Sequence, residues 1–375
     1  MAKKSCPGRV VAAMSGGVDS SVAAALLKER GYEVIGVTIL MRHPCASEEA
    51  KRGVRGPTCP HPGQRDAKKV CDSLGIPHHY VDMRERFERS VVDYFLDEYS
   101  RGRTPNPCVI CNRDIKFATL LDLAKSLEAE FVATGHYARV SYDDGRQRYV
   151  LKKGIDPLKD QSYALCGLDQ RQLGSALFPL GTMTKEKTRS IARRLGLTVA
   201  EKPESQEICF IEGDYRDFLE SAARAGRLKM RSGLSPGPIE DTGGRVLGTH
   251  RGFARYTVGQ RRGLGISSPQ PLYVLAIDPS RNAVIVGPER DLLSRGLIAA
   301  QVNMVSIEEF KDPTVVGVKI RYRSPEARAV VNPSDRQDVI TVHFDTPQRA
   351  VTPGQIACLY SGDEVLAGGV IERAL

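Results

Sequence analysis

Tryptophan is absent from the 375 residues, and phenylalanine and tyrosine alone make up the 6% aromatic content. No apolar run approaches the roughly 20 residues that a membrane-crossing helix needs. Met1-Ala2-Lys3-Lys4-Ser5-Cys6 leads toward the first apolar stretch without the hydrophobic segment of a signal peptide, so the expected location is the cytoplasm, with no membrane partner. Internal repeats and low-complexity tracts are lacking too, which excludes solenoid and fibrous architectures. Disulfide staples are not expected, because nine cysteines is an odd number in a chain long enough to bury a core unaided. Acidic residues are outnumbered, 45 against 54 basic ones, and the resulting +9 charge suits an anionic partner.

What is present has a clear order. The first 200 residues alternate strand-like and helix-like segments, the pattern of a parallel sheet with helices on both faces. Strands are expected at 10–14, 34–40, 78–81 and 131–134, and helices at 18–30, 64–74, 84–99 and 115–127. Residues 139–142 and 147–151 flank Asp143-Asp144-Gly145-Arg146, a hairpin turn centred on Asp-Gly. Helices near 169–177 and 185–195 follow. Past Cys209, turn signals such as Ser235-Pro236-Gly237-Pro238 and Asp241-Thr242-Gly243-Gly244 separate short strands. The expected fold is an α/β, Rossmann-like domain over 1–211, a small mostly β domain over 212–290 and a C-terminal β-barrel over 291–375. The barrel strands are expected at 315–322, 327–331, 339–344, 356–360 and 365–371.

Between the apolar run Val10-Val11-Ala12-Ala13-Met14 and the first helix stands Ser15-Gly16-Gly17-Val18-Asp19-Ser20. A strand ending at two glycines and a helix starting at once leave backbone N–H groups unpaired at the positive end of the helix dipole, a cradle for phosphate. The glycines admit close approach of a ligand, and Ser15 and Ser20 add hydroxyls. No lysine follows the glycines, so this is not a Walker loop, and an ATPase releasing ADP is disfavoured. Gly-Gly before a helix is also an ordinary tight turn. By charge and position Asp19 is a candidate ligand for magnesium.

Cys108-Val109-Ile110-Cys111 is expected in a loop stiffened by Pro105 and Pro107, just before a helix starting near Asp114, where the dipole, Arg103 and Arg113 favour thiolate. Cys209 sits in the apolar segment Ile208-Cys209-Phe210-Ile211 and by itself reads as a core cysteine. Structural zinc is the plainer alternative, with Cys59 and His61 joining the C-x-x-C pair. Cys6, Cys71, Cys166 and Cys358 are given no chemistry, and the segment 41–62, which holds Cys45 and Cys59 and is rich in Pro, Gly and charge, reads equally as disordered or as a flap over the site. His250-Arg251-Gly252-Phe253-Ala254-Arg255-Tyr256, continuing to Gln260-Arg261-Arg262-Gly263, holds four arginines with no acidic residue between them. Its arginines suit phosphates and its two aromatics suit unstacked bases, against the alternative of a solvated basic loop.

The loop Ser15 to Ser20 resembles the pyrophosphate-binding loop of the PP-loop ATP pyrophosphatases. Further motifs narrow the resemblance: Gly102-Arg103-Thr104-Pro105-Asn106-Pro107-Cys108-Val109-Ile110-Cys111-Asn112, Ala133-Thr134-Gly135-His136-Tyr137, Lys159-Asp160-Gln161-Ser162-Tyr163 and Glu207-Ile208-Cys209-Phe210-Ile211. In this order they are similar to the tRNA-specific 2-thiouridylase family over nearly the whole chain. The resemblance implies ATP and tRNA as substrates, transfer of AMP to O2 of the wobble uridine, release of pyrophosphate, and sulfur from a persulfide-carrying protein. It implies persulfide on Cys209 and a nucleophile at Cys111, with nucleotide near Ala13, Met14, Ile39 and Gly135 and phosphates on Ser15, Gly16, Gly17, Val18, Asp19 and Ser20. It further implies that Asn106, Pro107 and Cys108 approach the target base and that His136, Lys159, Asp160, Gln161, Arg321, Tyr322 and Gln355 contact tRNA. Many members carry Asp where Cys108 stands, so Cys108, Cys111 and Cys209 are also a candidate thiolate set for a [4Fe–4S] cluster. The expected state is a monomer. A PP-loop synthetase or amidotransferase is the competing enzyme class, and it would need neither Cys111 nor Cys209.

Overall fold

The computed structural model describes residues 7–42, 62–203, 208–211, 213–227, 231–336 and 338–375. Among these, the residues of 1–90 and 110–206 form one compact unit, and those of 91–109 and 207–375 form another.

The first unit is built on five parallel strands: β1 (Arg9–Ala13), β2 (Glu33–Leu40), β3 (His78–Asp82), β4 (Phe131–Ala133) and a later strand, in the order β3-β2-β1-β4 and then the late one. A hairpin of β5 (Ala138–Asp143) and β6 (Arg148–Lys153) precedes that fifth strand, β7 (Ala176–Leu177). Val10 and Val11 are fully buried, as expected for a central parallel strand covered on both faces. Helices α1 (Val18–Glu29) and α2 (Pro62–Leu74) contribute Val22, Leu27, Ala67 and Val70 to the same core. Gly31, at φ +89°, ends α1 in the left-handed conformation that stops a helix without side-chain strain. Cys71 packs against Gly36, where an added Cβ would stand 2.7 Å from its sulfur. Burial pushes that thiol up to about 12, in keeping with a purely structural cysteine.

The strands expected in this half are all present, and the two-residue β7 corrects the helix expected near 169–177, which ends at Ser175 and gives up Ala176 and Leu177 to the sheet. One boundary needs correction. Helical residues begin at Pro107, not near Asp114, and run through Cys111–Phe117 in wide π-type turns to Ala118–Ser126. The Asn106 side chain accepts from the Cys108 N–H at 3.2 Å, so Asn106 caps the helix while Pro107 fills the first position, where its missing N–H costs nothing.

In the second unit, a four-stranded sheet has the order β10-β11-β8-β9, from β8 (Gly237–Asp241), β9 (Val246–His250), β10 (Tyr273–Asp278) and β11 (Ala283–Gly287). A helix, Tyr215–Arg224, precedes it; Asp214 caps it by accepting from the Arg216 N–H at 2.9 Å. The C-terminal strands are β12 (Leu293–Met304), β13 (Thr314–Lys319), β14 (Ala327–Pro333), β15 (Val339–Arg349), β16 (Ile356–Ser361) and β17 (Glu364–Ala374). They pair antiparallel in the order β12-β15-β14-β13-β16-β17, and β12 pairs again with β17, so the barrel closes and leaves no edge between these six. Val318, Ala329, Val342, Leu359 and Ile371 fill its interior. Among the described residues no helix is long and apolar enough to cross a membrane.

The turn after β4 is fixed from within. The His136 ring packs on Phe117 and Phe178, and its Nδ1 lies 2.8 Å from the Thr134 hydroxyl. Burial, assisted by the Lys116 ammonium, pushes its pKa down to about 3. An unfolded chain takes up this proton near 6.5 and the native one only near 3, so this residue removes stability as pH falls through that window. The His136 imidazole is expected to stay neutral by NMR from pH 8 to pH 5, and the acid-side loss of stability in urea unfolding should shrink in His136→Gln. An imidazolium signal already at pH 6 would contradict this packing.

Candidate functional site

The strand order of the first unit reverses between β1 and β4, and parallel sheets of this kind receive ligands beyond the carboxyl ends of such neighbours. Both glycine loops lie there and touch. A Cβ on Gly135 would stand 2.6 Å from the Ser20 nitrogen and 2.7 Å from the Asp19 carbonyl carbon, so only glycine leaves the start of α1 uncovered. Gly17 is the α1 cap and offers no side chain, and no side-chain hydrogen bond caps the helix. Gly16 adopts φ +72°, and a Cβ on it would fall 1.9 Å from the Gly63 carbonyl oxygen. Ser20 ties the loop to itself: its hydroxyl donates to the Gly17 carbonyl (3.2 Å) and accepts from the Ser15 N–H (3.2 Å). The Ser15 hydroxyl, 3.1 Å from it, is the more exposed of the two.

Two lysines that sequence reading missed stand at this loop. Lys185 Nζ lies 2.7 and 2.8 Å from the two carboxylate oxygens of Asp19, and the Tyr137 hydroxyl donates to the same carboxylate at 2.9 Å. Lys202 Nζ donates to the Gly16 carbonyl at 2.8 Å and pairs with Asp66 at 2.6 Å. Asp19 therefore does not project as a bare carboxylate, and it fits poorly as a magnesium ligand while Lys185 neutralises it. Among the described residues no set of three or more His, Cys, Asp or Glu side chains is gathered to hold a metal. For nucleotide the fit is good: unpaired N–H groups at a helix start, small residues above them and ammonium groups beside them. Ala13 ends β1 and Ile39 lies in β2, opposite Val81, while the Met14 side chain is buried in the core and its carbonyl accepts from the Thr38 hydroxyl at 2.7 Å.

The described cysteines form no disulfide. Cys111 is buried, with its sulfur 3.9 Å from the Met41 sulfur, whereas Cys108 is exposed in the first helical turn. Cys209, read from sequence alone as a core residue, is exposed instead, because its neighbour Phe210 takes the apolar contacts, against Phe95 and Phe218. Cys59 and His61 of the zinc alternative lie outside the described residues, as does most of the 41–62 segment and Glu207.

The residues read as tRNA contacts fall into two classes. Lys159, Tyr322 and Arg321 reach solvent to differing degrees, Arg321 also donating to the carbonyls of Arg349 and Ala350 at 3.3 and 3.4 Å. Asp160 is buried and accepts from the N–H groups of Gly154 and Ser162 and from the Ser162 hydroxyl, at 3.0 to 3.1 Å. Gln161 exchanges hydrogen bonds with the Tyr137 backbone. Both therefore shape the chain under Lys159. In the basic run, Phe253 and Tyr256 are buried and cannot present faces to bases, and Arg255 pairs with Glu220, so only Arg251, Arg261 and Arg262 remain outward.

Comparison with known proteins gives the chain its relatives. Residues 8–213 match the tRNA methyl transferase HUP domain, 227–288 the tRNA methyl transferase PRC-barrel domain and 294–371 the aminomethyltransferase beta-barrel domain. The tRNA-specific 2-thiouridylase MnmA 1 of Caldanaerobacter subterraneus subsp. tengcongensis is 50% identical over 97% of this chain and 98% of its own. The tRNA-specific 2-thiouridylase MnmA of Acetivibrio thermocellus is 48% identical over 97% and 99%. Among solved structures, the U34-tRNA thiolase NcsA of Methanococcus maripaludis aligns at a TM-score of 0.32 and 19% identity, covering 58% of this chain and 64% of that one, too slight a likeness to bear on function. Half-identity along nearly the full length of both chains leaves one assignment: the chain belongs to the tRNA-specific 2-thiouridylase family.

Proposed function

We propose that this protein replaces O2 of the wobble uridine of tRNA by sulfur, in the cytoplasm and as a monomer, using ATP and a protein persulfide. The observation that carries this reading is the uncapped start of α1 facing Gly135, a phosphate cradle without a Walker lysine, in a chain of this family. Residues 1–211 are assigned to the ATP chemistry, 212–290 to a connecting domain and 291–375 to tRNA contact. ATP lies along Ser15 to Ser20, its α-phosphate exposed to attack by O2 of the base; the O2–phosphorus bond forms, the bond to pyrophosphate breaks, and C2 acquires AMP as a leaving group. Cys209 receives sulfur from the carrier. Its outer sulfur attacks C2 and expels AMP, and the Cys111 thiolate then takes the inner sulfur, leaving C2=S on the base and a Cys111–Cys209 disulfide. An external dithiol reductant returns both thiols for the next turnover. Asn106, Pro107 and Cys108 approach the base, and His136, Lys159, Arg321 and Tyr322 belong to the tRNA side. Neither magnesium at Asp19 nor a [4Fe–4S] cluster on Cys108, Cys111 and Cys209 enters this scheme.

Nucleoside mass spectrometry of tRNA incubated with ATP and a sulfur donor tests the reading. Wild type is expected to yield 2-thiouridine, AMP and pyrophosphate, whereas Cys209→Ser should yield no 2-thiouridine and still bind ATP. Wild type yielding no 2-thiouridine, with AMP and pyrophosphate release unchanged in Cys209→Ser and Cys111→Ser, would instead indicate a synthetase or amidotransferase, and iron with broad visible absorption in anaerobically purified protein would indicate the cluster route.

The lysine beside the cradle gives a second test. Lys185→Ala strands the Asp19 charge next to the phosphates, so ATP affinity should fall roughly ten- to hundredfold, the range for a lost charge-assisted contact. Asp19→Asn added to Lys185→Ala should recover part of the loss by isothermal titration calorimetry. Unchanged affinity in the single variant would remove Lys185 from the site.

A further inference from the structure

Gln355 resembles a tRNA-contacting position, yet its amide is engaged by protein. Its Nε2 lies 3.0 Å from the Thr104 carbonyl oxygen and 3.2 Å from that of Pro105. The contact is reinforced from the same loop: Thr104 N–H donates to the Pro353 carbonyl at 2.9 Å, and a Cβ on Gly354, at φ +90°, would stand 2.8 Å from the Thr104 oxygen. The loop is itself fixed to the barrel, since Gly354 N–H donates to the Ile371 carbonyl (2.9 Å) and Ile371 N–H to that of Gln355 (2.8 Å). Arg103, one residue earlier, donates to the Ile371 carbonyl at 3.3 Å while paired with Glu98 at 2.7 Å. Gly102 is cornered by Ile277 of β10, 2.6 Å from where its Cβ would be.

Every one of these contacts lies within the second unit, and together they clamp residues 102–105 immediately before the Asn106 cap. The segment needs such a clamp. Pro105 and Pro107 bring no N–H, so this stretch cannot secure itself by a backbone ladder, and its carbonyls must find donors elsewhere. We propose that Gln355 is a positioning residue: it holds Thr104 and Pro105 so that Asn106, Pro107 and Cys108 keep the orientation needed at the target base. This rests on the reading that residues 106–108 approach the base. Gln355 is thereby assigned to turnover, not to tRNA affinity.

Two variants of the full-length protein separate these roles. Gln355→Met keeps the length of the side chain and removes its donors, and Gln355→Glu sets a carboxylate against two carbonyl oxygens. With positioning, tRNA Kd stays within about twofold while kcat falls roughly tenfold, the worth of about one net hydrogen bond, and more in the Glu variant. Amide hydrogen exchange across residues 103–112 should rise about tenfold in both, at unchanged melting temperature, a readout that requires no catalysis. Weaker tRNA binding with kcat and exchange unaltered would overturn the proposal and make Gln355 an RNA contact, and so would no change in any of the three. If wild type formed no 2-thiouridine at all, the broader reading would fail, and the exchange result would still decide whether Gln355 holds this segment.

Discussion

The bare start of α1 is the feature on which the rest depends. A helix whose first N–H groups meet no side-chain cap carries a standing deficit of hydrogen bonds, and Gly17 and Gly135 put no Cβ against it. A natural N-cap at position 17 would fill that deficit and occupy the cradle. The loop is instead stiffened from outside, by Ser20 bonding back to Ser15 and Gly17 and by Lys202 on the Gly16 carbonyl. Those bonds turn the carbonyl side of the loop toward protein and leave the N–H side for an anion. The cradle is therefore preorganised, and a ligand need not order it.

Charge at the cradle is balanced and not simply positive. Asp19 beside a phosphate is unfavourable unless neutralised, and Lys185 with the Tyr137 hydroxyl neutralises it. The arrangement differs from a Walker loop, where the lysine belongs to the same turn as the glycines. Here the cation arrives on another helix, Lys185–Arg194, so its position depends on how that helix packs against α1 through Ile191 and Ala192.

Much of this was legible in the residues. Alternating strand and helix patterns locate β1 to β4, and the place of Ser15 to Ser20 and Thr134 to His136 after two of those strands foretells that they meet. Lys185 was not legible, because it lies 166 residues from Asp19 and no spacing rule links the two. Pro107 was legible and misread: Asn-Pro is a helix-start signal, with the cap at Asn106 and the proline in the first turn. The strand Leu293–Met304 escaped because Gly296, Ala299 and Ala300 are weak strand formers, and its conformation is imposed by pairing on both sides as it closes the barrel. The basic run from His250 misled for the opposite reason. Interleaved Arg and aromatic residues suggest stacking on bases, but burial of Phe253 and Tyr256 serves the small domain, and sequence alone does not say which way a ring faces.

Residues 91–109 belong to the second unit although the chain makes them before most of the first. Phe95 is fully buried against Phe210 and Phe218, Asp93 pairs with Arg227, and Thr104 is held by Pro353. On a translating ribosome Phe95 meets Tyr99 at once but waits more than a hundred residues for Phe210 and Phe218, on the order of ten seconds at ordinary elongation rates. Until then an apolar helical stretch stays uncovered in the nascent chain, and synthesis of the loop around Pro353, not emergence of the nucleotide loop, completes the packing of residues 91–109.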